Sequence, residues 1–456
     1  MKGATAAAIL IWCCVSVGES FAPRGIGANR HIRRAAASLN EAQETRPVVA
    51  DEEGVSDTPE MVLPKRRWVC PEHSNVCDET GITLSRYMRE MARANPELEQ
   101  IESIFTALQT ATKTISSLVR RSCLTGITGL EGNINVQGEE QKKLDVITND
   151  VLKNALEWSG HLATLASEEE DAPVMIDNLG NRVYSGDVLI EQSGDYVAVF
   201  DPLDGSSNID ASIPTGTVFG IFQNNEECVI ADDDPDQILD EDEQRCLQNT
   251  LQPGNNLVAA GYCLYSSSTI LMLTIGNGVQ GYTLDDTIGE YRLTHRDVMI
   301  PNRGKIYSFN EANRWDWDQP LQDYITDIQQ GRGSLKARYS SRYIGSMVAD
   351  VHRTLLYGGI FGYPADKKNQ NVAGKLRLLY EAAPMSFLVE QAGGLALTGR
   401  TRIMDILPTS VHQRVPCMLG SRDDVEEMRR YYENSEDPEL LARCEARRSG
   451  QLETAA

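Results

Sequence analysis

The spacing of apolar positions changes several times along the chain, and each change marks an element. Ile101, Ile104, Phe105, Leu108, Ile115, Leu118 and Val119 recur every three or four residues, which is the period of one helix face. A second helix is predicted over Leu144–Leu156. Tyr196–Phe200 is a short apolar run that stops abruptly at Asp201-Pro202 and reads as a strand. Further strands are predicted at Val218–Phe222, Leu257–Tyr262 and Ile270–Ile275. Leu376–Ala392 reads as a helix interrupted by Pro384 and stopped by Gly393-Gly394. Helices and strands mix without strict alternation, so the pattern predicts an α/β fold of mixed α+β layers.

The first residues follow another logic. Lys2 precedes an apolar run, Ala6–Val15, and a small-residue exit at Gly18-Glu19-Ser20. The run is too short for a bilayer span, which takes about 20 residues, and reads as a signal-peptide core. From Phe21 to Leu39 there is no Asp or Glu, but there are Arg24, Arg30, Arg33 and Arg34, the composition of a transit peptide. Residues 1–39 thus resemble the two-part leader of algae whose plastid came by secondary endosymbiosis, with Phe21 at the cleavage point. The expected location is the plastid stroma, with no membrane association after leader removal. Residues 40–78 carry Pro47, Pro59, Pro64 and Pro71 and read as a polar arm or linker.

Composition narrows the chemistry. The chain has 456 residues, 41% of them hydrophobic, enough for two or three domains. Its formal net charge of −23 argues against a nucleic-acid partner, because phosphate backbones are met by basic surface. Six histidines leave little for a His-rich zinc site, so a metal is expected on oxygen ligands. Ten cysteines in this length are not a disulfide scaffold. Much of the charge is local: Ala231–Glu243, between Cys228 and Cys246, is dominated by Asp and Glu and reads as a solvated loop.

The sharpest chemical signal is Phe200-Asp201-Pro202-Leu203-Asp204-Gly205-Ser206-Ser207. Two Asp residues sit just past a strand, where a turn stiffened by Pro202 aims both at one point. Gly205, Ser206 and Ser207 then offer N–H groups and hydroxyls at a helix start, suited to phosphate oxygens. Carboxylates for a hard cation beside amides for an anion are the parts of metal-assisted phosphoryl transfer. Three further groups fit: Ser167-Glu168-Glu169-Glu170-Asp171, the pair Glu139 and Asp145 around a helix start, and Glu381 among apolar neighbours. A carboxylate in the last setting must be paired or metal-bound. No cysteine is followed by five residues and an arginine, and no NTPase phosphate loop is present.

Asp201–Asp210, Asn310-Glu311, Arg342-Tyr343-Ile344-Gly345-Ser346-Met347 and Lys375–Pro384 together resemble fructose-1,6-bisphosphatase, in order from about Thr83 to Tyr432. The resemblance implies the sugar-phosphatase fold, a layered αβαβα sandwich. It implies domains over 79–298, with a regulatory acidic loop at 226–250, and over 299–434, followed by a polar tail at 435–456. It implies hydrolysis of the 1-phosphate of fructose 1,6-bisphosphate. Two or more Mg2+ per subunit, with Mn2+ as a substitute, would be held by Glu168, Glu169, Asp201, Asp204, Glu381 and the Leu203 carbonyl. Asp145, with Glu169, would orient and deprotonate the attacking water. Glu139 stands where the animal enzymes have Asp. Gly205, Ser206 and Ser207 would hold the departing phosphate. Asn310, Tyr343, Tyr363 and Lys375 would grip the 6-phosphate, and Arg342 would reach in from a neighbouring subunit of a homotetramer. Gly345, Ser346, Met347 and Arg377 complete the expected substrate contacts.

Within the family the chain resembles the chloroplast, redox-regulated type. Cys228 and Cys246 match its regulatory disulfide, opened by thioredoxin, in an enzyme of the Calvin cycle. The family's third cysteine would fall at Leu251. Ala94–Glu97, Asp195-Tyr196 and Gln223 replace the AMP-binding positions of the animal enzymes, so strong AMP inhibition is not expected. Two alternatives stay open at this stage: a sedoheptulose-1,7-bisphosphatase or dual-specificity enzyme, and a non-catalytic sugar-phosphate sensor.

Overall fold

The computed structural model describes residues 81–127, 129–134, 140–170, 174–176, 182–183, 194–224, 247–366 and 374–433. The leader, the arm, the tail, Glu139, Asp171, Cys228, Cys246 and most of the acidic loop lie outside the described residues.

Alternation along the strands builds the layers. In the Tyr196–Asp204 strand, Ala198 and Phe200 face one way and Val197 and Val199 the other. This strand lies in a nine-stranded sheet. Its spatial order is Glu290–His295, Gln280–Asp285, Thr269–Thr274, Leu257–Tyr265, Thr215–Gln223, Tyr196–Asp204, Leu162–Ser167, Val174–Ile176, Arg182–Val183. All neighbours are antiparallel except Leu162–Ser167 and Tyr196–Asp204, which run parallel. The Ala198 face packs under the helices Leu84–Ala94, Glu99–Thr125 and Lys143–Glu157. The Val199 face packs on the helices Met347–Tyr357 and Ala383–Gln391.

Those two helices also cover one face of a five-stranded sheet built from Ile306–Ser308, Ser340–Ser341, Ile360–Tyr363, Leu395–Leu397 and Cys417–Gly420. Ala396, Cys417 and Leu419 point to them, whereas Leu395, Leu397 and Met418 point away, to the helices Gln319–Gln330 and Arg422–Glu433. The stack is helix, sheet, helix, sheet, helix, as the layered sandwich requires.

The expected strands all form, and the long helix runs from Glu99 to Thr125. One prediction needs correction. Leu376–Ala392 is not one helix broken at Pro384. Leu376–Arg377 is a strand paired with Arg414–Val415, Leu378–Ala382 is a π-helical turn, and Ala383–Gln391 is the helix proper. Pro384 sits at the start of that helix, directly after the π-helical turn. The segment is buried on every side, so its apolar run carries no period to separate strand from helix.

Candidate active site

On a regular strand, residues three apart face opposite sides. Asp201 and Asp204 escape that rule because the pairing with Thr215–Gln223 shifts register between them. Pro202, which brings no N–H to the ladder, lies within the shift. The two carboxylates therefore meet, and Glu381 joins them from the π-helical turn: one oxygen of each lies within 4.8 Å of the others. Asp201 is 2% exposed and Glu381 3%.

Backbone donors fix all three. The Leu203 N–H donates to Asp201 Oδ1 at 2.9 Å, the Val348 N–H to Asp204 Oδ2 at 3.0 Å, and the Arg377 N–H to Glu381 Oε2 at 2.6 Å. Their charge is poorly compensated. Burial first, then Glu168, Asp204 and Glu381, all push Asp201 well above the usual carboxylate range. Burial pushes Asp204 up to about 6 against the Val348 N–H, and Glu381 up to about 8 against Arg377. A buried carboxylate trio of this kind fits a hard divalent cation, which takes oxygen ligands and removes the repulsion.

The parallel neighbour supplies the next acids. Where Leu162–Ser167 ends, the Glu168 N–H donates to the Phe200 carbonyl at 3.2 Å. Arg377 Nη2 then holds Glu168 Oε1 at 3.0 Å, and its Nη1 lies 3.9 Å from Glu381 Oε2. Arg377 is thus turned to the carboxylates, and Glu168 stands beside the trio rather than in it. The Glu169 N–H is held by Ser167 Oγ at 3.3 Å. Glu170 is drawn away by Asn149 Nδ2 at 2.9 Å and by Lys153. Asp145 opens the Lys143–Glu157 helix, where its Oδ2 accepts from the Lys142 N–H at 3.0 Å. Its Oδ1 is buried with no hydrogen-bond partner among the described residues. Burial raises the group to about 6, opposed by the Lys142 N–H and the Ser206 hydroxyl.

Gly205 turns the chain from the strand into the 3-10 segment Ser206–Ala211 with φ of 76°, a left-handed conformation that favours glycine. A Cβ there would come within 3.3 Å of the Ser346 side chain. Asn208 Nδ2 donates to the Gly345 carbonyl at 2.9 Å, so the 205–208 turn is sewn to the loop before the Met347–Tyr357 helix. Met347 is buried as the first residue of that helix. The Ser346 hydroxyl reaches Asp204 Oδ2 at 3.5 Å. In that loop the Tyr343 hydroxyl meets the Tyr363 hydroxyl at 3.1 Å, and Lys375 Nζ lies 5.2 Å from the Tyr363 ring centroid. The Lys375 charge acts on Asp204 in the direction that favours its anion. Asn310 Oδ1 caps the segment Glu311–Asp316 by accepting from the Ala312 N–H at 3.2 Å. Arg342 is exposed, with Nη1 on the Ser341 carbonyl at 2.8 Å.

Two positions escaped the sequence. Asp350 is a fully buried acid at the foot of the Met347–Tyr357 helix. An acid in an apolar string, the signal that drew attention to Glu381, is present there too. His412 Nε2 donates to the Glu170 carbonyl at 3.0 Å while Nδ1 meets the Tyr380 hydroxyl at 2.9 Å. It bridges the two segments that carry Glu168 and Glu381, and nothing local to it in the sequence marks it.

Residues 82–296 match the family model "Fructose-1-6-bisphosphatase, N-terminal domain", and residues 300–433 match "Fructose-1-6-bisphosphatase, C-terminal domain". The chloroplastic fructose-1,6-bisphosphatase 1 of Arabidopsis thaliana is 52% identical over 332 residues, 73% of this chain and 76% of that protein. The chloroplastic enzyme of Spinacia oleracea is 50% identical over 350 residues, 76% of this chain and 81% of that one. Among solved structures, the holo form of Leishmania major fructose-1,6-bisphosphatase is similar with a TM-score of 0.67 and 40% identity, covering 78% of this chain and 99% of that one.

Proposed function

The chain belongs to the fructose-1-6-bisphosphatase family, and from that premise we propose that it hydrolyses the 1-phosphate of fructose 1,6-bisphosphate with magnesium. The observation that carries this reading is the joining of two unlike groups in one site. The trio Asp201, Asp204 and Glu381 is linked through Ser346 and Val348 to the loop that bears Tyr343, beside Tyr363 and Lys375. A cation site next to a cationic and phenolic group suits a substrate with a phosphate at each end.

Asp201, Asp204 and Glu381, with Glu168, Glu169 and the Leu203 carbonyl, would hold the magnesium ions, and Mn2+ would substitute. When bound, the cations neutralise the phosphoryl oxygens and acidify the attacking water. Asp145 accepts that water's proton together with Glu169. Its unpartnered Oδ1 and its value of about 6 suit a base working near neutrality. The water oxygen bonds to phosphorus as the phosphorus–O(C1) bond breaks, the C1 oxygen takes up a proton in place of the one the water gave and stays with fructose 6-phosphate, and Gly205, Ser206 and Ser207 hold the released phosphate. Asn310, Tyr343, Tyr363 and Lys375 hold the 6-phosphate, and Arg342 completes that pocket in the neighbouring subunit of a tetramer. Arg377 contributes by holding Glu168.

The chloroplastic relatives, together with the leader composition, support a plastid location and a role in the Calvin cycle. Cys228 and Cys246 would form a disulfide that thioredoxin reduces to activate the enzyme. Phosphate release from fructose 1,6-bisphosphate and sedoheptulose 1,7-bisphosphate, measured side by side with and without magnesium and dithiol, tests the whole reading. The expected result is preference for the first substrate, loss of activity without magnesium, and activation by dithiol. Equal or better release from the second substrate would move the chain to the sedoheptulose-bisphosphatase or dual-specificity alternative.

A further inference from the structure

Asp350 is fully buried, and a bare carboxylate in that position would be costly. It is not bare. Its Oδ1 accepts from Ser308 Oγ at 2.7 Å, from the Ile344 N–H at 3.1 Å and from Arg353 Nη2 at 2.8 Å. Its Oδ2 accepts from the Ile344 N–H at 3.0 Å and the Gly345 N–H at 3.1 Å. Arg353 Nη2 donates in addition to the Arg342 carbonyl at 2.5 Å. One carboxylate and its arginine therefore pin the backbone at 342, 344 and 345, the residues on either side of Tyr343. The pinned loop turns at Gly345, with φ of 84°, and places the Tyr343 hydroxyl against Tyr363. Its Gly345 carbonyl is the one that Asn208 holds from the 205–208 turn.

We propose that Asp350 is a positioning residue that sets the distance between the two phosphate-recognising ends of the site and thereby gives the enzyme its preference for a bisphosphate over a monophosphate. The proposal rests on the assignment of Tyr343, Tyr363 and Lys375 to the 6-phosphate. The chemistry explains why this residue must be an acid. All four groups around it are donors, and only a carboxylate accepts from all of them. Asparagine would turn an NH2 group against an N–H. Loosening the loop misplaces Tyr343 while leaving the carboxylate trio intact, so the loss should fall on substrates that reach Tyr343.

The test compares fructose 1,6-bisphosphate with fructose 1-phosphate, which differs only in lacking the 6-phosphate, on the full chain with magnesium. Asp350→Asn is expected to lower kcat/KM for the bisphosphate by about 100-fold, mainly through KM, the scale of loss for a misplacement near 1 Å. The fall for fructose 1-phosphate is expected to stay below about tenfold on the same scale. Ser308→Ala removes one donor, retains the carboxylate, and should shift the preference several-fold in the same direction, so it decides the matter if Asp350→Asn does not fold. Folded variants in which both substrates lose the same factor, or neither loses any, overturn the proposal and leave Asp350 a purely structural acid. A wild-type enzyme with no preference for the bisphosphate overturns the 6-phosphate assignment itself.

Discussion

Asp201, Asp204 and Glu381 form one group of secluded acids; Asp424 and Glu427, on the Arg422–Glu433 helix, form another. Asp201 and Asp424 are both sealed from water, and burial raises both. What differs is the charge of the nearest side chains. Around Asp201, apart from the Leu203 N–H, each further influence is another carboxylate. Around Asp424 the next influences are the Gly304 N–H at 2.8 Å, the Tyr339 hydroxyl at 2.6 Å and Arg303 Nη1 at 3.1 Å, all favouring the anion. Glu427 is finished in the same way by Arg303 and by the Ser334 N–H at 2.7 Å. The second group is a completed structural knot. The first is complete only with a ligand, and that asymmetry marks the site more clearly than acidity does.

The comparison breaks most easily at Asp204. Asp204→Asn keeps an oxygen for the Val348 N–H but removes a charge from the trio. Phosphate release in saturating magnesium should fall by ~10³-fold or more, equal to about 4 kcal/mol of barrier, while the protein stays folded. Near-normal turnover would refute the assignment. Asp424→Asn should behave in the opposite way. It spoils a finished pair and leaves Arg303 short of charge, so the unfolding midpoint should drop by the equivalent of about 3 kcal/mol. Turnover per folded molecule should not change. An Asp424 variant with normal stability and lost activity would mean that the two groups are not of different kinds.

How much of this was legible in the sequence follows from the range of each signal. Asp201 and Asp204 stood out because a strand, a proline and a glycine-serine turn are written in one short string. Glu381 stood out as an acid in an apolar run, but its π-helical turn did not, since full burial erases the period that would reveal it. The strands were legible because a short apolar run is a local signal, whereas the order of the layers came from the family resemblance. The division of labour inside Glu168-Glu169-Glu170 was not: Arg377, Asn149 and Lys153 sort it, and they come from distant parts of the chain. Asp350 and His412 act through loop backbone, whose course is a tertiary fact.

Metal removal sharpens the contrast further. Asp201, Asp204 and Glu381 all bind protons more tightly when folded than the ordinary carboxylate value near 4 allows. In metal-stripped protein they favour the fold fully below about pH 4, and this contribution is lost as pH rises through about 6 for Asp204 and about 8 for Glu381. Magnesium competes with those protons. Its stabilisation, about 2.7 kcal/mol at a concentration 100 times Kd, should therefore be larger at pH 8.5 than at pH 6. Thermal unfolding of chelator-treated protein at the two pH values, with and without added magnesium, measures this. Equal stabilisation at both would show that the trio is not where the ion acts.

The smallest expected effect belongs to a third arrangement, a half-buried titratable group with neither a ligand to await nor a charge to satisfy it. His352 Nδ1 meets the hydroxyl of the fully buried Tyr262 at 2.7 Å, and their rings stand edge to face. Burial, helped by the positive potential of His295, lowers His352 to about 4. The sign is opposite to that of the carboxylate trio. The unfolded chain takes up a proton near pH 6.5 and the folded chain does not, so stability is complete above that value and is lost as pH falls towards about 4. The loss at pH 5 should be about 1–2 kcal/mol. Because acidification also protonates the trio, wild type alone would show the two effects partly cancelled. Comparing wild type with His352→Gln by urea unfolding at pH 7 and pH 5 in the same magnesium removes the common part. The variant should lose less stability than wild type between the two pH values, and an identical loss in both would show that the His352 ring takes up its proton as readily in the folded chain as in the unfolded one.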